Sequence, residues 1–117
     1  MVGRRMEYKT GDVYVVRFHP SFGSELKRFR PAVVVSGTVS KIDPRFSLIA
    51  PLTTSVSGFN KKYEMLVKDE GFLEKDSVAL LWYVRTVDVG RMEKKIGKLS
   101  EQEVKKMKMI LTSILLK

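Results

Sequence analysis

Two residues of this 117-residue chain pair a side chain suited to phosphate chemistry with a backbone position that would hold it still: Arg30 and Thr53. Arg30 precedes Pro31 and the apolar run Ala32-Val33-Val34-Val35. Proline fixes its own φ and biases the residue before it toward extended backbone, so Arg30 is expected at the mouth of a buried strand. Its guanidinium is always charged and offers a rigid fork of donors, which suits a phosphate better than a core. Thr53 stands just past a second apolar run, Phe46 to Ala50, and past Pro51. If these strands are neighbours, their proline-marked edges meet. Cleavage of RNA by its own 2′-hydroxyl needs charge stabilisation at phosphorus and help with two protons. An arginine supplies the first, and a threonine hydroxyl can donate to the same oxygens. The plainer reading is a cation and a hydroxyl at solvated strand ends, and spacing alone does not choose between the two.

Composition removes most rival chemistries. The absence of cysteine excludes disulfides, zinc-thiolate sites and thiol nucleophiles, and a single histidine excludes a multi-histidine metal site. That residue, His19, is either a general acid or base or a surface loop residue. No glycine-rich phosphate loop, dinucleotide fingerprint or Ser-His-acid order is present. A formal net charge of +9 points to a polyanionic partner. Residues 1–31 carry seven Lys and Arg against three acids, whereas residues 67–99 carry seven against six, so the excess leans toward the segment that ends at Arg30. There Lys27, Arg28 and Arg30 are interleaved with Phe22 and Phe29, a mixture that suits single-stranded nucleic acid because phosphates meet cations and bases meet rings. Lysine-rich surfaces also serve solubility. No apolar run approaches the roughly 20 residues of a membrane span, and Met1-Val2-Gly3-Arg4-Arg5 lacks a signal-peptide core. A cytoplasmic protein with no membrane partner is expected.

The elements that must position these groups read as one domain over residues 1–117, mainly β with a C-terminal helix. Gly11-Asp12 marks a turn before a strand over residues 13–18. Residues 19–29 form a loop longer than a hairpin needs, a common feature of functional segments. Strands follow at 32–36 and at 46–50, the second ended by Pro51, with a polar connection over 37–45. Residues 63–67 and 77–84 are further strands, Arg85 to Asp88 a turn, and 94–99 a last strand broken at Gly97. Ser100-Glu101-Gln102-Glu103 has the form of a capping box, opening a helix whose apolar face is Val104, Met107, Leu111, Ile114 and Leu115. Five or six short strands closed by one helix predict a small, mostly antiparallel barrel.

Seven segments in order carry a resemblance: Gly11-Asp12-Val13-Tyr14, Gly23-Ser24-Glu25, Arg30 to Ser36, Ile49 to Thr53, Lys75 to Leu80, Arg85 to Asp88 and Ile96 to Ser100. Together, over about residues 10 to 116, they resemble the MazF/PemK family of toxin endoribonucleases. The resemblance implies an SH3-like barrel, a homodimer with single-stranded RNA (mRNA) across its interface, and cleavage without a metal or other cofactor to 2′,3′-cyclic phosphate and 5′-hydroxyl ends. It also implies a cognate antitoxin whose acidic segment covers the same groove, with DNA binding by the toxin–antitoxin complex. Carried over by motif, Arg30 acts on the scissile phosphate and in proton transfer, and Thr53 stabilises the transition state. Glu25 may be expected to orient the arginine, with Lys27, Arg28, Thr54, Tyr83 and Arg85 in supporting or RNA-binding positions. The chain departs from the family pattern at Trp82-Tyr83, where an acid and a glutamine are usual and where aromatic rings can stack on bases instead. It departs again at His19, where an acid is common, and at the bulky Lys27-Arg28-Phe29. The alternative reading keeps the fold and loses the chemistry, leaving a module that binds nucleic acid or inhibits a protein target.

Overall fold

The computed structural model describes residues 7–18 and 29–116. In chain order these form β1 (Asp12–Arg17), β2 (Phe29–Ser36), α1 (Thr38–Ile42), β3 (Phe46–Thr53), β4 (Glu64–Val67), β5 (Ser77–Leu80), β6 (Arg85–Asp88), β7 (Met92–Lys98) and α2 (Glu101–Leu115). Single 3₁₀ turns, 81–83 and 89–91, join β5 to β6 and β6 to β7. All seven strands belong to one sheet in the order β4-β5-β3-β2-β1-β7, with β6 beside β3, and each pairing is antiparallel. The sheet curls in a barrel-like way but its outer strands, β4 and β7, do not pair with each other.

β3 is the central strand. One edge pairs with β2, Ala32 opposite Pro51 and Val34 opposite Ile49. The other edge is shared: its first half pairs with β6, ending at Ile49 opposite Arg85, and its last two residues pair with β5, Leu52 opposite Ala79 and Thr53 opposite Val78. Ala50 and Pro51 fall in the gap between these ladders. Pro51 therefore does not end the strand, as its missing N–H would suggest, because it stands where β3 changes partner. The same partner change divides the apolar run over 77–84 into β5, a 3₁₀ turn and β6, and it makes Arg85 to Asp88 a strand rather than a turn. The polar connection over 37–45 also contains the short helix α1.

Period-two alternation gives β2 two buried faces. Val33 and Val35 join a core cluster with Val13, Ala50, Leu52, Met65 and Leu81, covered by α2 through Met107 and Ile110. Ala32 and Val34 join a second cluster with Tyr14, Val16, Phe18, Ile49, Val87 and Met92. Helix α2 opens with the expected capping box, Ser100 Oγ accepting from Glu103 N at 3.1 Å and Glu103 Oε1 from Ser100 N at 2.9 Å. Its buried stripe differs from the expected one at two positions. Ile110 is buried, and Leu115 is 71% exposed.

Gly11 and Gly97 meet two different backbone requirements. Gly11 adopts φ +95°, and its turn is tied to both neighbours of the N-terminal strand by Gly11 N to Val34 O and Leu99 N to Gly11 O, each 2.8 Å. At Gly97 a Cβ would come within 2.4 Å of the Phe72 ring, which packs over the β7 backbone. Gly97→Ala is expected to lower unfolding stability by about 1–3 kcal/mol through overpacking. Urea denaturation would read this as a lower midpoint at unchanged slope, and an unshifted midpoint would contradict the packing of Phe72 on Gly97.

Candidate functional site

The site is built on the face of the sheet that carries the second core cluster. Alternation along β2 puts Arg30 on the same face as Ala32 and Val34, and along β3 it puts Thr53 on the same face as Ile49 and Pro51. The ladder between β2 and β3 ends at Ala32 opposite Pro51, and the same register continued two residues along each strand brings Arg30 level with Thr53 on one face. On its other edge Arg30 stands opposite Val16 of β1, so its stem lies over apolar neighbours and the residue is half-buried rather than fully exposed. Burial lowers the guanidinium pKa from its ordinary value. The group keeps its charge and becomes a better hydrogen-bond acid. Thr53 is also half-buried, and its hydroxyl oxygen accepts from Ser55 N at 3.3 Å, which fixes the first turn after β3 and leaves its own proton to donate.

Arg85 occupies the same face from β6, opposite Ile49. Four residues of β3 separate Ile49 from Thr53, about 13 Å at strand rise, so Arg85 does not share one phosphate with Arg30. Its guanidinium lies 5.8 Å from the ring centres of both Phe18 and Tyr83. Tyr83 packs against the second cluster and stacks on Trp82, centroids 5.4 Å apart at an interplanar angle of 17°. The Trp82 Nε1–H donates to Glu64 Oε2 at 2.7 Å, and Glu64 Oε1 accepts from Asn60 N at 2.8 Å. One carboxylate thus ties the 3₁₀ turn to the end of the loop before β4. The sequence carries no signal for this role of Glu64, because its partner Trp82 is eighteen residues away.

The other expected site residues fall elsewhere. Thr54, exposed and beyond the strand, lines a shallow cleft with Val56, Asp69, Glu74, Lys75 and Asp76, an acidic neighbourhood for a phosphate. Glu25, Lys27, Arg28 and His19 lie outside the described residues. The cations of β1 and β7 have local tasks: Arg17 pairs with Glu93 at 3.6 Å, Arg91 donates to the Arg17 carbonyl at 3.1 Å, and Lys95 meets the buried Asp12 at 3.3 Å. Among the described residues no group of three or more His, Asp or Glu could hold a metal ion. The arrangement is a cationic and hydroxyl pair at one end of a sheet face, with a second arginine and stacked aromatic rings further along it.

Residues 9–115 match the model of the PemK-like, MazF-like toxins of type II toxin–antitoxin systems. The chain is 31% identical over 99 residues to an endoribonuclease MazF of Staphylococcus saprophyticus, a match covering 83% of this chain and 82% of that protein. Its fold is similar to that of MazF from Deinococcus radiodurans, with TM-score 0.75, 20% identity and coverage of 96% of this chain and 99% of the other. It is also similar to an endoribonuclease from a mycobacterial species in complex with its cognate antitoxin, with TM-score 0.70, 15% identity and coverage of 92% and 93%.

Arg85 joins β6 to the rings of β1 and the 3₁₀ turn, so it has a packing role whatever it binds. Arg85→Ala is expected to reduce stability by about 1 kcal/mol and Arg85→Lys by less, because an ammonium can also lie over a ring. Comparison of their urea midpoints with wild type checks this, and identical midpoints for all three proteins would count against the contact.

Proposed function

The chain belongs to the PemK-like, MazF-like toxin family of type II toxin–antitoxin systems, and we propose that it is an endoribonuclease cutting single-stranded RNA, mRNA above all, at a phosphate held between Arg30 and Thr53. The register of β2 and β3 supports this reading most directly, since it sets a charged donor fork and a hydroxyl side by side on one face. In the step itself the 2′-oxygen attacks the adjacent phosphorus, the P–O2′ bond forms and the P–O5′ bond breaks. Solvent takes the 2′-hydroxyl proton and the departing 5′-oxygen takes one back, with Arg30 at the phosphate to assist the transfer, leaving a 2′,3′-cyclic phosphate and a 5′-hydroxyl. The nucleophile belongs to the substrate and is already in place, so the step consumes no water and requires no metal to activate one. Arg30 and Thr53 donate to the non-bridging oxygens as negative charge grows there. Desolvation of Arg30 strengthens that interaction, because the same burial that lowers its pKa removes competing water.

In this reading the working form is a cytoplasmic homodimer with RNA lying across the two faces, and a cognate antitoxin blocks it. The net charge of +9 suits both RNA and an acidic antitoxin segment that folds on binding. Incubation of the purified protein with a long single-stranded RNA in excess EDTA, with product ends mapped, tests the proposal. Recurrent cuts at a short motif with cyclic phosphate ends are expected. Thr53→Ala should lower kcat about 10²–10³-fold, the effect of one lost oxyanion donor. Arg30→Ala should abolish cleavage, and because the stem of Arg30 is packed, its urea midpoint is measured alongside to separate lost chemistry from lost folding. RNA that is bound but left intact by the wild type would replace the enzyme with a non-catalytic binding module.

A further inference from the structure

Trp82 is the only tryptophan in the chain, and it is 53% exposed, which is unusual for so large a ring beside a buried turn. The two neighbours in its 3₁₀ turn are committed: Leu81 is wholly buried in the core under α2, and Tyr83 packs on the opposite cluster. Trp82 is held as firmly without being covered. Tyr83 stacks on one of its faces, and Glu64 Oε2 accepts from its Nε1–H at 2.7 Å. Glu64 cannot easily swing away, because its second oxygen accepts from Asn60 N. The exposed area is therefore the other face and outer edge of a fixed indole. Arg85 lies 5.8 Å from the ring centre of Tyr83, and the exposed Lys61 and Lys62 stand in the loop that Asn60 anchors. The turn joins the strand that pairs with Leu52 and Thr53 to the strand that pairs up to Ile49, so it lies along that edge of β3.

We propose that Trp82, seated on Tyr83 and pinned by Glu64, is a stacking platform for a base of single-stranded RNA on the same strand as, and further along from, the phosphate held at Arg30 and Thr53. This inference rests on the ribonuclease reading above and adds to it a binding residue, Trp82, and a positioning residue, Glu64. A base is the occupant that fits: a flat apolar face takes the ring, and the cations around it take the flanking phosphates. Stacking is tolerant of base identity, so the platform sets affinity and the path of the strand more than it reads a letter. Because the indole is rigid before RNA arrives, little side-chain freedom is lost on binding.

The single tryptophan makes the test direct. A 2′-O-methyl single-stranded oligonucleotide, which lacks the nucleophile and so stays intact, is titrated into the full chain while Trp82 emission and the anisotropy of a label on the oligonucleotide are followed together. Binding is expected to quench Trp82, and an oligonucleotide of the same length with an abasic tract is expected to bind more weakly without quenching. Trp82→Ala should weaken binding roughly 5- to 150-fold, the effect of one lost aromatic stack. Glu64→Ala should lower the anisotropy of Trp82 emission in the free protein and weaken binding, and Glu64→Gln should restore both, since its amide oxygen accepts the same N–H. Oligonucleotide binding with unchanged Trp82 emission, or equal affinity in Trp82→Ala, would overturn the platform while RNA cleavage by the wild type left the ribonuclease reading standing. Emission of the RNA-free protein that shifts to the blue with rising protein concentration would overturn it too, by showing the indole covered by a second copy. RNA neither bound nor cut by the wild type would remove both.

Discussion

Everything distinctive about this molecule depends on β3 having one partner along one edge and two along the other. A strand of eight residues that pairs with β2 through its middle but passes from β6 to β5 on its other edge forces a break in the chain that connects those two strands. The break is the 3₁₀ turn 81–83, and its three side chains point to three different environments: the core beneath α2, solvent and the opposite cluster. The same strand carries Thr53 out to the end of its ladder with β5, level with the entry of β2 and so with Arg30. One pairing pattern thus sets both the phosphate-facing pair and the aromatic turn near it.

The sheet is buried on both faces, and this limits where polar chemistry can stand. Valines of β2 alternate between two clusters, each filled to very low exposure. A charged group in the middle of either would be severely penalised. Only at the ends of strands can a guanidinium keep its stem on apolar neighbours and its head toward a ligand, the arrangement seen for long cationic side chains elsewhere. Arg30 and Arg85 both take such positions on the same face, one at the start of β2 and one at the start of β6. Their difference is in what surrounds them: apolar strand neighbours desolvate Arg30, whereas aromatic rings on two sides support Arg85.

Rigidity on this face comes from small, local devices rather than from a large core. Glu64 spans the loop before β4 and the turn after β5 with two short hydrogen bonds, and Asn60 gathers the loop by accepting from Tyr63, Glu64 and Lys62. Carboxylates do similar work at Asp69, which accepts from Gly71 and Leu73, and at Asp76, which accepts from Asp69 N.

What could be read in the amino-acid sequence was what depends on near neighbours along the chain. The capping box at Ser100 to Glu103, the apolar β-branched run of β2, the turn at Gly11 and the proline-marked edges at Arg30 and Thr53 are all matters of local dihedral preference or of period two and 3.6. The order of the seven segments likewise points to the toxin family, since each segment is short and local. Tertiary structure alone decided the rest. Whether Pro51 ended a strand or sat inside one depended on which strands lay beside it, and whether residues 77–88 made one strand and a turn or two strands and a 3₁₀ turn depended on the same change of partner. That Ile110 rather than Leu115 is buried on α2 depends on which part of the helix meets the sheet. The Glu64–Trp82 bond and the seat of Arg85 on Phe18 and Tyr83 join residues far apart in sequence, and no local pattern encodes a contact whose two halves meet only after the sheet has formed.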